Sequence, residues 1–307
     1  MSAHAFQAYE GAISPLERLG HLDAKKVALG DQLFHDPRLS ADNSISCAHC
    51  HDLVNGGGTD NLPHSFGVQG SEGNINTPTV YNAAYNLAQF WDGRAKTLEA
   101  QIDGPTHNPA EMASNWMQII EKLTKDPVYR QSFKQAYGEK VITAEHIKDA
   151  IATFERSLIT VDSPFDQYLR GQDDAISSDA KKGYALFQSY GCVSCHQGSN
   201  FGGNMFQTLG IFGDYFKDRG GEITLADAGR LNVTQDHADQ HRFKVPSLRL
   251  VTLTAPYFHD GSIETLPDAI HTMAKYQLGR SIPESDVTLM ITFLHSLVGT
   301  LYREDAP

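Results

Sequence analysis

The sequence predicts a mostly α-helical fold built from two similar domains, and three observations support this prediction. Apolar residues recur at helical spacing in several segments, while alternating patterns typical of β-strands are rare. The pentad Cys-x-x-Cys-His occurs twice, at residues 47–51 and 192–196. The chain of 307 residues is also long enough for two domains of about 150 residues each.

Four segments carry the clearest helical pattern, and they set the expected domain boundaries. We expect helices at residues 22–34, 114–124, 143–159 and 283–299. The first pentad is expected in a loop, followed by an irregular glycine-rich segment at residues 55–73. Residues 183–187 precede the second pentad much as residues 30–34 precede the first, so the second half repeats the first in outline. The expected domains are residues 21–163 and 164–300, with terminal extensions at 1–20 and 301–307.

The two pentads point to covalently bound cofactors. Cys-x-x-Cys-His is the attachment signature of a c-type haem, in which two thioethers hold the porphyrin and the histidine binds the iron. All four cysteines lie in the pentads, at Cys47, Cys50, Cys192 and Cys195, so none remains for a disulfide. A zinc ribbon would bring its two cysteine pairs within about 20 residues of each other. A redox Cys-x-x-Cys would not need the adjacent histidine. We therefore expect two haems, with one axial position each filled by His51 and His196.

Composition limits the partners and the location of the protein. The formal charge of −12 argues against nucleic acid and fits either a basic redox partner or plain solubility. No run of 18 apolar residues exists, so no membrane span is expected. The N-terminus lacks the charged and apolar regions of a signal peptide. Covalent haem attachment nevertheless implies export, so we interpret the sequence as a processed or re-engineered mature form and infer the periplasm from the cofactor.

Four further segments carry a family resemblance. They are Phe-His-Asp-Pro-Arg-Leu-Ser at 34–40, Asn-Thr-Pro-Thr-Val at 76–80, Ala-Gln-Phe-Trp-Asp-Gly-Arg at 88–94 and Leu-Thr-Ala-Pro-Tyr-Phe-His at 253–259. Together with the spacing of the pentads, they resemble the bacterial di-haem cytochrome c peroxidases over nearly the whole chain.

The resemblance implies a fold and an activity. The expected fold has two cytochrome c-like domains, each wrapped around one covalent c-type haem. The expected activity is the reduction of hydrogen peroxide to water in the periplasm, with electrons from a small cytochrome c or a cupredoxin. The C-terminal haem would receive the electrons, and the N-terminal haem would be peroxidatic. Related enzymes are commonly dimers, so the resemblance also suggests a homodimer.

The second haem has a well-matched axial methionine. Residues 268–273 (Asp-Ala-Ile-His-Thr-Met), followed by Gln-Leu-Gly at 277–279, resemble the segment that carries this ligand in the family. The resemblance makes Met273 the ligand and His271 its competitor, while a merely buried helical methionine is the structural alternative. His/Met coordination fits a high-potential haem. Related enzymes that mature tryptophan-derived quinone cofactors carry a tyrosine here, so Met273 favours a peroxidase.

The distal ligand of the first haem is poorly matched. The family has a histidine at the position that Val68 occupies here, and the nearest histidine is His64, four residues earlier in the glycine-rich segment. In one interpretation His64 reaches the iron and closes the site until the second haem is reduced. In the other, the first haem is five-coordinate or water-bound at rest and His64 is a solvated loop residue.

Candidate catalytic residues also follow from the resemblance. Glu111 matches the glutamate that exchanges protons with peroxide, a role that a distal carboxylate can fill. Gln101 matches a distal glutamine that hydrogen-bonds peroxide, and His107 is a rival base of lower rank. Trp91 matches a residue between the haems that can conduct electrons, although a tryptophan in an apolar run also packs in the core.

The resemblance further implies a calcium ion between the domains. Asn76, Thr254 and Pro256 match the positions that supply its oxygen ligands, and amide and carbonyl oxygens suit Ca²⁺. From the residues alone, Asn76-Thr77-Pro78 would be just a turn.

Two other functions stay open beside the peroxidase. One is a non-catalytic di-haem electron carrier, which would keep both haems closed in every redox state. The other is a di-haem enzyme that oxidises the aromatic side chains of a partner protein.

Overall fold

The computed structural model describes residues 12–138 and 141–301, and these residues form twelve α-helices and one small sheet. The helices are α1 Ala24–Phe34, α2 Cys47–Cys50, α3 Leu98–His107, α4 Trp116–Lys125, α5 Pro127–Tyr137, α6 Ala144–Ser157, α7 Pro164–Leu169, α8 Ser178–Tyr190, α9 Tyr215–Arg219, α10 Leu231–Thr234, α11 Leu266–Leu278 and α12 Glu284–His295. Strands β1 (Phe206–Thr208) and β2 (Arg242–Lys244) pair antiparallel, with Phe206 opposite Lys244. Most of the two predicted terminal extensions, residues 1–11 and 302–307, lies outside the described residues.

The predicted mostly helical fold is confirmed, with two local corrections. Helices α1, α4, α6 and α12 lie in the four segments predicted to be helical, but α12 ends at His295, ahead of the expected end at Gly299. The first pentad does not lie in a loop. Its residues form the single turn α2, because the backbone N–H of His51 donates to the carbonyl oxygen of Cys47 at 3.0 Å. The second pentad closes in the same way, from His196 to Cys192 at 3.0 Å.

The two halves of the chain repeat one helix crossing. Helix α1 packs on α6, and helix α8 packs on α12. A glycine stands at each crossing: a Cβ added at Gly30 would lie 2.0 Å from the carbonyl oxygen of Ala150, and one at Gly183 would lie 2.0 Å from that of Leu289. Only a residue without a side chain permits such close approach of two helix backbones. Each crossing fixes the helix that leads into a haem pentad.

The core divides into two large apolar clusters that correspond to the two pentads. The first is formed chiefly by α1 and α3–α6 and packs against Cys47, while the second is formed chiefly by α7, α8, α11 and α12 and packs against Cys192. Ile13, in the predicted N-terminal extension, belongs to the second cluster, and Leu250 belongs to the first. The division at residues 163 and 164 stays a prediction. Within the described part of the chain, no helix is long and apolar enough to cross a membrane.

Candidate functional site

The first haem site, called haem site 1, consists of Cys47, Cys50 and His51. The ring of His51 is held by a hydrogen bond of 3.1 Å between its Nδ1 and the carbonyl oxygen of Gly58. A carbonyl only accepts, so Nδ1 carries the proton and Nε2 keeps its lone pair. Burial lowers the pKa of His51, which keeps the ring neutral. A neutral imidazole with a free Nε2 is the form that binds iron.

The second haem site, called haem site 2, consists of Cys192, Cys195 and His196 and has the same design. His196 Nδ1 lies 3.1 Å from the carbonyl oxygen of Phe201, so Nδ1 again carries the proton. Burial lowers the pKa of His196 to about 4, so this ring is also neutral. The repeated orientation of the two rings fits the predicted axial roles of both histidines.

The cysteines fit thioether bonds better than a zinc site. All four are free, and burial raises the pKa of Cys47 to about 12 and that of Cys192 to about 11. Zinc binds thiolates, whereas a thioether carries no charge and tolerates burial. Among the described residues, neither cysteine pair joins a group of three side chains arranged to hold a metal. The donor set therefore fits two covalent haems.

A large cavity lies beside haem site 2 and brings Met273 to it. The cavity has a volume of about 550 Å³, and Cys192, Cys195, His196 and Met273 all line it. The competing ligand, His271, also lies on α11, but its Nε2 is 2.6 Å from Glu284 Oε1 on α12. Met273 therefore lines the same cavity as His196, and His271 does not.

Glu111 lies close to haem site 1, just beyond the end of α3. Its backbone oxygen accepts a hydrogen bond of 2.8 Å from Val68 N, and Asn108 Nδ2 donates to its Oε1 at 2.6 Å. Burial raises the pKa of Glu111, and its charge contributes to the raised pKa of Cys50. Gln101 lies on α3 itself, while the rival base His107 is exposed and packs edge-on against Trp116. The geometry brings Glu111, and not His107, to haem site 1.

The glycine-rich segment, which should carry the distal histidine, has Val68 at the family position and His64 four residues earlier. Val68, at the family position, is only 5% exposed and is tied to Glu111 through its backbone. His64 Nδ1 lies 3.2 Å from Glu72 Oε1. Its Nε2 is enclosed without a hydrogen-bond partner, an unusual state for a buried ring nitrogen. The next residue, Ser65, contacts Cys50, and an unpartnered ring nitrogen is also what an iron ligand presents before its haem is bound, so both interpretations of His64 stay predictions.

Trp91 connects the two halves at the cavity. Its indole N–H donates to the carbonyl oxygen of Asn76 at 2.9 Å, and its own carbonyl oxygen accepts from Lys244 N at 2.8 Å. Trp91 and Asn76 both line the cavity of haem site 2. The predicted calcium ligands Thr254 and Pro256 line the same cavity as Asn76.

Sequence reasoning missed a buried ionic network next to Asn76. Asp227 accepts hydrogen bonds from Arg219 at 2.7 Å and from His259 Nε2 at 2.8 Å, and Arg219 also contacts Asp260 at 2.6 Å. Burial alone would raise the pKa of Asp227, but these donors hold it well below its usual range. The backbone oxygen of His259 accepts from Asn76 N at 2.7 Å. Because Arg219 occupies both carboxylates, we interpret the cluster as a support for Asn76 and not as a metal site.

Two buried ionisable side chains were also missed, and they carry opposite charges. Glu155 on α6 is 5% exposed, lies near Cys47, and has a pKa that burial raises to about 8. Lys244 on β2 is 7% exposed, lines the cavity of haem site 2, and has a pKa that burial lowers to about 8. Neither follows a sequence motif, since an isolated Glu or Lys is normally a surface residue.

Comparison with known proteins places this arrangement in a family. The family model described as "Di-haem cytochrome c peroxidase" matches residues 24–174. The chain is 45% identical over 288 residues to a cytochrome c551 peroxidase of Nitrosomonas europaea, which covers 94% of this chain and 84% of that protein. This chain belongs to the di-haem cytochrome c peroxidase family. The family assignment confirms the predicted enzyme class, a peroxidase, and the two c-type haems.

Two further relatives define the extent of the likeness. The cytochrome c peroxidase Ccp of Escherichia coli K12 is 51% identical over 296 residues, which cover 95% of this chain. The chain spans 63% of the length of that relative. A crystal structure of a MauG-like protein associated with microbial copper homeostasis superposes with a TM-score of 0.81 at 25% identity, covering 97% of this chain and 95% of that one. The di-haem peroxidase fold therefore extends over nearly the whole chain.

Proposed function

We propose that this peroxidase reduces hydrogen peroxide to water at haem site 1, with electrons that enter at haem site 2 from a small redox protein. The two haem sites differ in the side chains that lie near them in addition to the cysteines and the histidine. Glu111, a carboxyl with a raised pKa, lies beside haem site 1, whereas the thioether of Met273 lines the cavity of haem site 2. A carboxyl can move protons, while a thioether ligand closes an iron and raises its reduction potential.

Glu111 and Gln101 supply the proton chemistry. Reduction of one hydrogen peroxide to two waters consumes two electrons and two protons. A bound haem iron supplies the position where peroxide binds and electrons arrive. Ionised Glu111 takes a proton from one peroxide oxygen and gives it to the other, which then leaves as water. Asn108 holds Oε1 at 2.6 Å and so orients the carboxyl group, while the side-chain amide of Gln101 hydrogen-bonds the substrate.

His196, Met273 and Trp91 form the electron route in this proposal. His196 and Met273 would hold the second haem as its axial ligands, and His/Met coordination would give that haem the higher potential of the pair. Trp91 lines the same cavity and is bonded to Asn76, in the segment that leads back toward haem site 1. Its fixed indole gives electrons a path between the sites.

Haem site 1 is open or water-bound at rest in this proposal. The support comes from Val68, a buried aliphatic side chain that cannot bind iron. A haem held at haem site 1 would accept peroxide without prior reduction of haem site 2. In the alternative, His64 would be the distal ligand at rest and would leave when haem site 2 is reduced, as in a switch between ordered states.

A calcium ion bound by Asn76, Thr254 and Pro256 completes the proposal. The three residues line one cavity and offer neutral amide and carbonyl oxygens, which suit Ca²⁺ with additional waters. The ion would stiffen the segment that positions Trp91. Calorimetric titration of the chelator-treated protein with Ca²⁺ tests this, and the absence of a saturable heat signal would exclude the site.

The location and the electron donor follow from charge and cofactor. Covalent haem attachment supports a periplasmic enzyme. The net charge of −12 favours a donor with a basic docking face, such as a small cytochrome c or a cupredoxin. Association with such a donor should weaken as the ionic strength rises.

Electron paramagnetic resonance combined with peroxide turnover tests the function. We expect a high-spin signal from haem site 1 in the oxidised protein, a low-spin signal from haem site 2, and rapid consumption of peroxide with a reduced donor. Two low-spin signals in every redox state without turnover would instead support an electron carrier. A long-lived oxidised state without rapid turnover would support an enzyme that oxidises a partner protein.

A further inference from the structure

Lys244 places a buried positive charge in the wall of the cavity at haem site 2. It ends strand β2, opposite Phe206 on β1, and its side chain is 7% exposed. The residue lines the same cavity as Cys192, Cys195 and His196. Lysine is almost never this buried unless it is paired.

The protein holds Lys244 firmly but satisfies only part of its side chain. The backbone N–H donates to the carbonyl oxygen of Trp91 at 2.8 Å, and Nζ donates to that of Ala88 at 2.9 Å. An ammonium group has three donors, and Ala88 is the single acceptor that the described residues give it.

Residues 12–138 and 141–301 provide no carboxylate within ion-pair distance of this charge. Within the described residues, the ion pairs do not include Lys244. The charge of Asp92 acts on it, but that carboxylate is bound to Arg94 at 3.0 Å. Burying an unpaired ammonium is costly, so lysines in such positions neutralise or face an anion. Either an anion bound in the cavity pairs with the Lys244 ammonium, or the side chain is uncharged.

We propose that Lys244 binds a propionate carboxylate of the second haem and thereby raises the reduction potential of that haem. A c-type haem carries two propionates, and their carboxylates match an ammonium at the cavity wall in charge and in hydrogen bonding. The inference rests on the proposed role of haem site 2 as the electron entry point. It adds a positioning residue that acts through the propionate and does not touch the iron.

The direction of the effect follows from electrostatics. Reduction adds one electron to the haem, so a nearby positive charge stabilises the reduced form and an uncompensated propionate destabilises it. Removing the ammonium leaves the carboxylate unpaired in a buried place. We expect the equilibrium constant for reduction of haem site 2 to fall about tenfold, which corresponds to about 59 mV for one electron.

The test compares Lys244→Met, Lys244→Arg and the surface control Lys182→Met in the holoenzyme. Lys182 lies on α8 in the same half of the chain, is exposed, and pairs with Asp179. Spectroelectrochemical titration with soluble mediators measures the potentials of both haems without any turnover. Lys244→Met should lower the reduction potential of haem site 2. The equilibrium constant for reduction of haem site 1 should stay within a fewfold of the wild-type value. Lys244→Arg should restore most of the potential, and Lys182→Met should change neither haem.

Two results would overturn the proposal. An unchanged potential in Lys244→Met, with haem content and spectra like wild type, would show that the lysine only supports the Ala88 backbone. An equal fall in both potentials would show a general change in the fold. If Lys244→Met does not assemble, Lys244→Gln provides the same comparison with a smaller change in polarity. The spectrum of the wild type reports separately whether His196 and Met273 bind the iron, so failure of the proposed function stays distinguishable.

Discussion

The two haem sites share their proximal design and differ on the opposite side. His51 and His196 are each held at 3.1 Å by a backbone carbonyl, and the helix before each pentad crosses a later helix at a glycine. Haem site 1, however, is flanked by the carboxyls of Glu111 and Glu155, whereas the cavity at haem site 2 contains a thioether and an ammonium.

This difference shows which parts of a duplicated fold can diverge. The helix crossing and the histidine clamp are requirements for holding any haem, so they are the same in both halves. The groups opposite the histidine decide whether an iron exchanges protons and substrate or only electrons. An ionised Glu111 beside haem site 1 would favour the oxidised form of that haem, and a positive group beside haem site 2 would favour its reduced form. The following substitutions test this division.

The largest effect is expected from Glu111→Gln. The amide has nearly the same shape but cannot carry a proton between the peroxide oxygens, so turnover should fall about 10²–10⁴-fold. Both haem spectra should stay unchanged. Stopped-flow measurement of peroxide consumption provides the check, with Glu121→Gln, an exposed carboxyl that pairs with Lys125, as the control. Wild-type turnover in Glu111→Gln would remove this residue from the mechanism.

Val68→His should make haem site 1 resemble a closed site. It places an imidazole where the family carries its distal histidine, and we expect a change from a high-spin to a low-spin signal. If the site is then open about 1% of the time, turnover of the oxidised enzyme should fall about 100-fold. Val68→Leu controls for bulk at this buried position. The variant His64→Ala should leave the resting spectrum of haem site 1 unchanged. If the signal of haem site 1 is low-spin in the wild type and high-spin in His64→Ala, then His64 is the resting ligand.

Met273→Leu should open haem site 2 while preserving the packing of α11. The two side chains have similar volumes, so the cost in stability is under about 1.5 kcal/mol. Loss of the thioether should lower the equilibrium constant for reduction at least tenfold, or about 59 mV. Met290→Leu is a matched control, because Met290 is also a helical methionine that lines this cavity. Equal potentials in the two variants would exclude Met273 as a ligand.

The acid limb of the pH dependence of turnover should reflect Glu111. The ionised carboxylate accepts the proton, so kcat/KM should fall as the pH drops through the pKa of Glu111. Burial raises that pKa above the ordinary value of 4.5, which moves the acid limb to higher pH. Glu111→Gln should lose this limb, and Met273→Leu should keep it. An acid limb that persists in Glu111→Gln would assign the titration to another group.

The sequence predicts those features that depend on neighbouring residues. The pentads and helices α1 and α6 could be predicted because their signals lie within a few residues. Helix α3 was missed because Gly104 and Pro105 resemble breakers. The cap at Thr97 and the buried residues Leu98 and Ile102 nevertheless hold the helix together.

The missed site residues depend on contacts between distant segments. Lys244 and Ala88 are 156 residues apart, and the pairing of Val68 with Glu111 joins two separate loops. Locally, Lys244 follows an arginine and a phenylalanine and looks like an ordinary strand-end lysine. Its burial appears only when the two-stranded sheet packs beside Trp91, and no pattern of local periodicity encodes that contact.

The smallest effects are expected at the two glycine crossings, which test how closely the halves are equivalent. Gly30→Ala and Gly183→Ala each add a Cβ that would meet a backbone oxygen at 2.0 Å. The gain of about 1 kcal/mol in helix propensity should be outweighed by about 1–3 kcal/mol of overpacking. Thermal unfolding of the holoenzyme should show similar losses of a few degrees for both variants, while Gly20→Ala, where a Cβ meets nothing within 4 Å, should show none. A large loss for only one variant would mean that the two crossings, despite equal geometry, do not contribute equally to holding their haem pentads.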